Sequence, residues 1–307
     1  VLKTQYNAKA TLGNLNNHIG VPLTLLSFTD QTEIGIVEMG ANHQKEIEFL
    51  CNIAQPDYGL ITNYGKAHLE GFGGVNGIIK GKSEMYTHLI AHNKMAFVNS
   101  EDPIQIEKTI NAKRITFGNS NQDVNIQFID ANPFVKLKYD NLEINSQLIG
   151  DYNFTNIAIA IAVGHYFKIK NLSIKKAIEN YVPTNNRSQI IKKSSNKIIL
   201  DAYNANPTSM KAALDNFSQL DDDNKIAILG DMFELGESAQ EEEVVEEVEE
   251  QAETESEASE PEAPAEVEET SRAPEVSPEE LAAFEAMLRQ AEQEMQAEQT
   301  AEATSAE

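Results

Sequence analysis

The sequence predicts an α/β fold built on a mostly parallel central sheet with flanking helices. An apolar run at 34–37 precedes a segment, 43–54, whose apolar residues recur at the spacing of one helix face. Gln55-Pro56 ends that segment, because the residue before a proline is kept out of the α region, and a second apolar run covers 59–62. Strand, helix and strand in so short a stretch form a βαβ unit, whose strands run parallel.

Polar side chains follow both strands of this unit. Glu38 comes directly after the first strand, and Asn63, Lys66 and His68 follow the second. The carboxyl ends of parallel strands meet at one edge, where open α/β sheets bind their ligands. We therefore expect a carboxylate and an imidazole to converge on the ligand edge.

Five more strands are predicted in the middle of the chain, where apolar runs alternate with turn residues. They lie at 94–99, 114–117, 124–130, 134–139 and 142–149. A helix is predicted before them at 78–88. Two helices are predicted after them, a buried one at 157–167 with Asn153 near its start and another at 173–181.

The last elements are predicted around a strongly marked helix start. A strand at 197–200 leads through the loop 201–206 to a helix with Asn206 as N-cap and Pro207 in its first turn. Free N–H groups at such a start favour an anion, so this loop belongs near phosphates. The predicted buried stripe of the helix is Met210, Ala213, Leu214 and Phe217, and a second strand is predicted at 225–229.

The net charge of −25 is concentrated at one end. Residues 239–307 contain 24 Glu, no Asp and two Arg, a net charge of −22. Residues 1–238 are therefore near neutral, and the low pI of the whole chain gives no information about the partners of that part. The single cysteine, Cys51, excludes an internal disulfide and fits a reducing compartment. No segment reaches the roughly 18 apolar residues of a membrane span, and no signal peptide is visible.

Six motifs in a fixed order resemble the Mur ligase family. They are NLNNHIGVP from residue 14, EMGA from 38, TNYGKAHLE from 62, KGKSE from 80, DAYNANPTSM from 201 and GDMFELG from 230. The resemblance covers about residues 1–238. It implies a central ATP-binding domain at 1–181 and the first part of a Rossmann-like C-terminal domain at 182–238.

The resemblance also implies an activity, its cofactors and its substrates. It implies an ATP-dependent amide ligase of peptidoglycan precursor synthesis, which joins UDP-N-acetylmuramoyl-tripeptide to D-alanyl-D-alanine through an acyl phosphate, with ATP and Mg²⁺ as cofactors. Such a protein is expected to be a cytoplasmic monomer that binds no nucleic acid.

The family resemblance assigns site residues to three groups. The metal and catalytic group is Glu38, His68 and Lys82, with Lys82 as a carbamate, since an unmodified ammonium would repel a cation. Taken alone, each of these three would also fit a surface residue. The nucleotide group is Asn153, Asn156, Arg187, Asp201, Asn204 and Asn206, and the substrate group is Asn14, Asn16, Asn17 and His18.

A glycine-rich phosphate loop ending in Lys-Thr does not occur in the sequence. The resemblance places such a loop just ahead of Val1, so we expect this strand and loop, the N-terminal domain and most of the C-terminal domain to be missing. By that reasoning the 307-residue chain alone forms no amide product. The rival hypothesis is a non-catalytic binding protein that reuses the central domain and presents the acidic tail. Both a gene fragment joined to foreign sequence and a natural truncated paralogue fit this pattern.

The acidic tail, residues 239–307, has two predicted parts. Residues 241–270 have too few apolar residues to offset chain entropy and are predicted to be disordered. A capping box that begins at Ser277 predicts a helix at 278–298. Both a docking helix for a partner and a solvated, marginal helix fit that segment.

Overall fold

The structure is a computed structural model that describes residues 1–183, 187, 189–193, 196–201, 205–220, 224–230 and 232. Its α-helices are α1 (Gly20–Leu26), α2 (Glu46–Ala54), α3 (Leu69–Phe72), α4 (Val75–Lys82), α5 (Glu84–Ala91), α6 (Pro103–Lys108), α7 (Asn153–Tyr166), α8 (Asn171–Glu179) and α9 (Pro207–Ser218). Its strands are β1 (Ala8–Ala10), β2 (Ile34–Ile36), β3 (Tyr58–Leu60), β4 (Met95–Asn99), β5 (Lys113–Gly118), β6 (Val124–Asp130), β7 (Phe134–Tyr139), β8 (Leu142–Ile149), β9 (Gln189–Lys193) and β10 (Asn196–Leu200). A short 3₁₀ helix, Leu2–Thr4, precedes them.

The largest sheet has six strands in the order β3-β4-β5-β6-β7-β8. Its first four strands are parallel to one another, and β7 and β8 join by antiparallel pairing. A separate parallel pair is formed by β1 and β2, and an antiparallel pair by β9 and β10. The predicted α/β class with a mostly parallel central sheet is therefore confirmed, as are the five strands predicted between 94 and 149.

The predicted βαβ unit is wrong in its strand pairing, because its two strands lie in different sheets. Helix α2 lies between β2 and β3 along the chain as expected, but β2 pairs with β1 and β3 pairs with β4. An apolar run predicts that a segment is extended. It does not specify which neighbouring backbone will satisfy its hydrogen bonds, and only the packed structure decides that.

Helix α7 is buried against the sheet, as its uniformly apolar sequence predicts. Ile161 and Ala162 are fully buried in a cluster that includes Ile126 and Leu137 of the sheet. Helix α8 closes the same cluster through Ile174. This core packs β6, β7 and β8 against α7, whose first turn contains two of the predicted nucleotide residues, Asn153 and Asn156.

Three predictions about local structure are wrong in part. The helix predicted at 78–88 is two helices, α4 and α5, separated at Ser83. A one-residue break leaves the apolar spacing almost unchanged, so the pattern could not show it. In α9 the buried residue is Pro207, whereas Leu214 of the predicted stripe is 39% exposed.

The third wrong prediction is the strand at 225–229, which forms no strand in the structure. Ile226 is 83% and Ile228 is 93% exposed. A strand needs a partner for its N–H and C=O groups, and the nearest strands in the described part of the chain, β9 and β10, pair with each other. Asn204 of the predicted loop at 201–206 lies outside the described residues, as do the acidic tail and its predicted helix at 278–298.

Within the described ranges, no helix combines the length and the apolar character that crossing a bilayer would require.

Candidate active site

Glu38 lies just beyond the end of β2 and is held in place by the first loop of the chain. Its backbone N–H donates to Thr11 Oγ1 at 2.9 Å. Its side-chain Oε1 accepts a hydrogen bond from Asn16 Nδ2, also at 2.9 Å. The exposed carboxylate therefore has a defined orientation, with its other oxygen, Oε2, outside this bond.

A glycine allows Asn16 to reach Glu38. The N–H of Gly40 donates to the Asn16 carbonyl at 2.8 Å. A Cβ at position 40 would lie 2.9 Å from both Cγ and Nδ2 of Asn16, closer than real Cβ contacts allow. The Glu-Met-Gly motif thus provides both the carboxylate and the space for the amide that orients it.

The remaining residues of the predicted substrate group form the turn before α1. Asn17 Oδ1 accepts from the N–H groups of Ile19 and Gly20 at 3.0 and 2.9 Å, so its side chain supports the start of that helix. The Asn14 carbonyl accepts from the Asn16 N–H at 2.7 Å, and the His18 side chain is exposed. Asn16 is thus hydrogen-bonded to the Glu38 carboxylate, whereas the Asn17 side chain is hydrogen-bonded to the backbone at the start of α1.

Lys82, the last residue of α4, reaches the loop that follows β3. Its Nζ donates to the Asn63 carbonyl at 3.0 Å. The side chain is half-buried, and this burial lowers the pKa of the Lys82 ammonium below its usual value. A larger share of neutral amine is therefore present near neutral pH than on an exposed lysine.

The same loop is joined to the α4–α5 break by a second bond. Tyr64 Oη and Ser83 Oγ lie 2.9 Å apart in a buried contact. Burial raises the pKa of Tyr64 to about 12, so its hydroxyl stays protonated and available to this bond. Half-buried His68 ends the loop in a left-handed conformation, φ 56°, directly before α3. Lys82 is thus brought to the loop that carries His68.

The site can be tested for its fit to a divalent cation by its donor chemistry. In the described part of the chain, no group of three or more His, Cys, Asp and Glu residues is arranged to hold a metal ion. Glu38 is an oxygen donor of the kind Mg²⁺ prefers, and His68 is a nitrogen donor. Glu38 and His68 therefore need a third metal ligand, and Lys82 can be that ligand only if it gains acceptor oxygens. The residues fit Mg²⁺ only in that form.

The two asparagines predicted to meet the nucleotide act as a pair at the start of α7. Buried Asn153 donates from Nδ2 to the Ile149 carbonyl at 2.8 Å, and its Oδ1 accepts from Asn156 Nδ2 at 3.1 Å. Asn153 is thereby locked, and it orients the exposed amide of Asn156. The resemblance singles out Asn156 as the residue that would contact adenine, and the structure shows that its amide is exposed while that of Asn153 is buried.

The other described nucleotide candidates come later in the chain, between β8 and the start of α9. Arg187 and Asp201 are exposed. Asn206 caps α9, because its Oδ1 accepts from the Ser209 N–H at 3.0 Å while Ser209 Oγ accepts from the Asn206 N–H at 3.2 Å. The predicted helix start is confirmed.

A cleft of about 890 Å³ lies between the central domain and α9. Its charged lining residues are Lys66, Asp130, Asp151, Lys211 and Asp215. Lys66 and Thr208 both line this cleft, and the backbone N–H of Lys66 donates a hydrogen bond to Thr208 Oγ1 at 2.9 Å. Sequence reasoning assigned no role to Thr208, although it lies within the motif that begins at residue 201, or to Asp151, which comes two residues before Asn153.

Comparisons with known proteins identify the family. Residues 1–164 match the Mur ligase middle domain, and residues 186–301 match the Mur ligase, glutamate ligase domain. The chain therefore belongs to the Mur ligase family. The second match runs through most of the acidic segment, so the boundary at 238 stays a prediction.

Among the curated relatives, the chain is similar to UDP-N-acetylmuramoyl-tripeptide–D-alanyl-D-alanine ligases. It is 37% identical over 243 residues to the enzyme of Bacillus subtilis, an alignment that covers 77% of this chain and 53% of that protein. It is 31% identical to the Escherichia coli enzyme, covering 76% and 54%. The chain thus spans about half the length of the curated relatives it matches.

Solved structures show the same similarity. MurF from Acinetobacter baumannii superposes with a TM-score of 0.70 at 33% identity, covering 78% of this chain and 54% of that one. MurF ligase from Thermotoga maritima in complex with ADP gives a TM-score of 0.69 at 26% identity, covering 80% and 59%. The fold of the described residues is that of MurF proteins.

Proposed function

We propose that this chain provides the central machinery of an ATP-dependent ligase that joins D-alanyl-D-alanine to UDP-N-acetylmuramoyl-tripeptide in peptidoglycan precursor synthesis. The observation that carries the proposal is the position of Lys82, which reaches the loop of His68 from a separate helix. The names of the curated relatives support the choice of substrates. The ADP complex of the Thermotoga relative supports the choice of nucleotide.

In the proposed reaction, the tripeptide carboxylate attacks the γ-phosphate of ATP and releases ADP. The amine of D-alanyl-D-alanine then displaces phosphate from the acyl phosphate and forms the amide. When bound, Mg²⁺ neutralises charge on the phosphoryl oxygens. Glu38 and His68 hold it, together with a carbamate on Lys82.

The carbamate is implied by the family resemblance, and a half-buried amine with a lowered pKa is suited to form it. The neutral Lys82 nitrogen adds to the carbon of CO₂, one N–H proton leaves to solvent, and the product carries one negative charge on two oxygens. The carbamate nitrogen keeps one N–H, which continues to donate to the Asn63 carbonyl. The modification therefore converts a cation into an anionic ligand without loss of the contact that positions the side chain.

The nucleotide is assigned to the side of the site where α7 begins. Asn156, oriented by Asn153, offers an amide to the base, and Arg187 and Asp201 meet the phosphates and the ribose. The N-terminus of α9 adds backbone N–H groups and the positive end of the helix dipole. Asn204 and Asn206 complete the proposed set, and Asn14, Asn16, Asn17 and His18 are assigned to the peptide substrate.

The experiment places the aligned 243 residues into the Bacillus subtilis ligase, which supplies the rest of that protein. ADP release that depends on both substrates is the expected result. Lys82→Ala should lower kcat by about 100-fold or more, because losing a metal ligand costs at least as much as losing its support. Short carboxylic acids, which imitate the carbamate, should restore part of the rate.

Lys80→Ala is the matched control, since Lys80 is an exposed lysine on the same helix, and it should retain full activity. A folded chimera without ADP release would overturn the proposal and favour the non-catalytic alternative. Full activity of Lys82→Ala would remove the carbamate from it.

A further inference from the structure

We propose that Glu84 is a positioning residue for the reaction proposed above, because its carboxylate ties the segment that carries Glu38 to the helix break that carries Lys82. This inference rests on the proposed function, because Glu84 would position residues of that site. Its evidence is a different set of hydrogen bonds, those made by the Glu84 carboxylate. Glu84 opens α5, two residues after Lys82. It belongs to none of the predicted site groups.

Both oxygens of the Glu84 carboxylate accept hydrogen bonds from the start of α2. The N–H of Lys45 donates to Oε1 at 2.7 Å, and the N–H of Glu48 donates to Oε2 at 3.0 Å. These contacts join residues 36 and 39 positions apart in the chain. A bond of this span fixes two elements relative to each other, which a local cap cannot do.

The start of α2 needs an acceptor from elsewhere. Its N-cap residue, Lys45, has a left-handed backbone, φ 75°, and makes no side-chain capping bond. The first N–H groups of a helix have no partner within the helix, and a negative charge near them is favourable. Glu84 provides two acceptors and that charge from the neighbouring helix.

Three consecutive residues at the α4–α5 break therefore contact both the loop after β3 and the start of α2. Lys82 and Ser83 bond to the loop after β3, through Asn63 and Tyr64, while Glu84 bonds to α2. Residues 38–45 connect β2 with α2, so the position of Lys82 relative to Glu38 depends on Glu84.

The chain offers a matched control in the same turn. Glu46 accepts from the N–H groups of Asn42 and His43 at 2.7 and 3.1 Å, nearly the lengths of the Glu84 bonds. Its bonds stay within the turn before α2 and do not reach α5. Glu46→Ala and Glu84→Ala should therefore destabilise the protein by similar amounts and differ only in their effect on Lys82.

The test measures how fast acetic anhydride labels individual lysines of the full chain in CO₂-free buffer, by mass spectrometry. Glu84→Ala should raise the labelling rate of Lys82 by roughly 10-fold relative to that of Lys80, because the amine loses its fixed contact with the loop. Glu84→Gln, which keeps one acceptor oxygen, should give an intermediate rate. Glu46→Ala should change the Lys82 rate less than about twofold.

A second measurement uses the chimeric ligase. Glu84→Ala should lower kcat by roughly 10-fold and leave KM for D-alanyl-D-alanine unchanged, whereas Lys80→Ala, which changes an exposed lysine, should alter neither. Equal Lys82 labelling rates in Glu84→Ala and Glu46→Ala, or in Glu84→Gln and the wild type, would overturn the inference. Absence of ADP release from the wild-type chimera would instead refute the proposed function, and the labelling ratio would still decide the role of Glu84.

Discussion

Single side chains at this site have roles that their residue types alone do not reveal. Asn16 and Asn17 are neighbours in one Asn-rich motif, yet Asn16 bonds to the Glu38 carboxylate and Asn17 supports the start of α1. Asn153 and Asn156 divide in the same way between a buried support and an exposed amide. The motif resemblance predicted a site role for all four. Their division of labour depends on which backbone groups lie nearby.

Gly40→Ala tests the residue scale. The new Cβ would displace the Asn16 amide and break its bond to Glu38, at a cost of about 1 kcal/mol. Urea unfolding should therefore show a lower midpoint for Gly40→Ala than for Gly230→Ala. Gly230 is the control, because a Cβ there meets no atom within 4 Å, so both variants share the entropic effect of replacing glycine. Equal midpoints would contradict the steric argument.

At the scale of whole elements, the sequence was most reliable where hydrophobic patterns and caps act locally. The strands between 94 and 149, the buried helix α7 and the capped start of α9 all form as predicted. The failures have non-local causes. Contacts between distant segments decide three features: which strands pair with β2 and β3, where the helix breaks at Ser83, and whether residues 225–229 form a strand.

Asn206 allows a test of one element, because its side chain caps α9 and is also a nucleotide candidate. Asn206→Ala should destabilise α9 by about 1 kcal/mol and speed hydrogen exchange of its first amides. Asn206→Asp should preserve the cap, since aspartate accepts the same N–H bond.

Titration with ADP separates the two roles of Asn206. If the Asn206 amide meets phosphate, Asn206→Asp should bind ADP more weakly while α9 keeps its exchange rates, because a second anion repels the ligand. Unaltered exchange in Asn206→Ala would show that the cap contributes nothing to α9.

At the scale of the whole molecule, the site depends on a contact that joins residues 142 positions apart. The bond from the Lys66 N–H to Thr208 Oγ1 links the loop of His68 to the start of α9, beside the cleft of about 890 Å³. That loop is held on its other side by Lys82 and Ser83. The loop after β3, which carries His68, is thus held by α9 as well as by the α4–α5 break.

Thr208→Val tests this long-range contact, since valine keeps the shape of threonine and removes its hydroxyl. The Lys66 amide should exchange with solvent about fivefold faster, corresponding to a hydrogen bond of ~1 kcal/mol. Thr208→Ser is the control and should retain the slow exchange. An unaffected Lys66 amide in Thr208→Val would exclude the contact.

The sequence alone determined the α/β class, most strands and helices, and the residue types of the site, because these follow from local periodicity, caps and motif order. Tertiary structure decided that Lys82 meets the loop after β3, that Glu84 reaches α2 and that Thr208 reaches Lys66. Hydrogen bonds between segments 19, 36 and 142 residues apart depend on the packing of the whole chain. No local pattern carries that information, so only the folded molecule could show it.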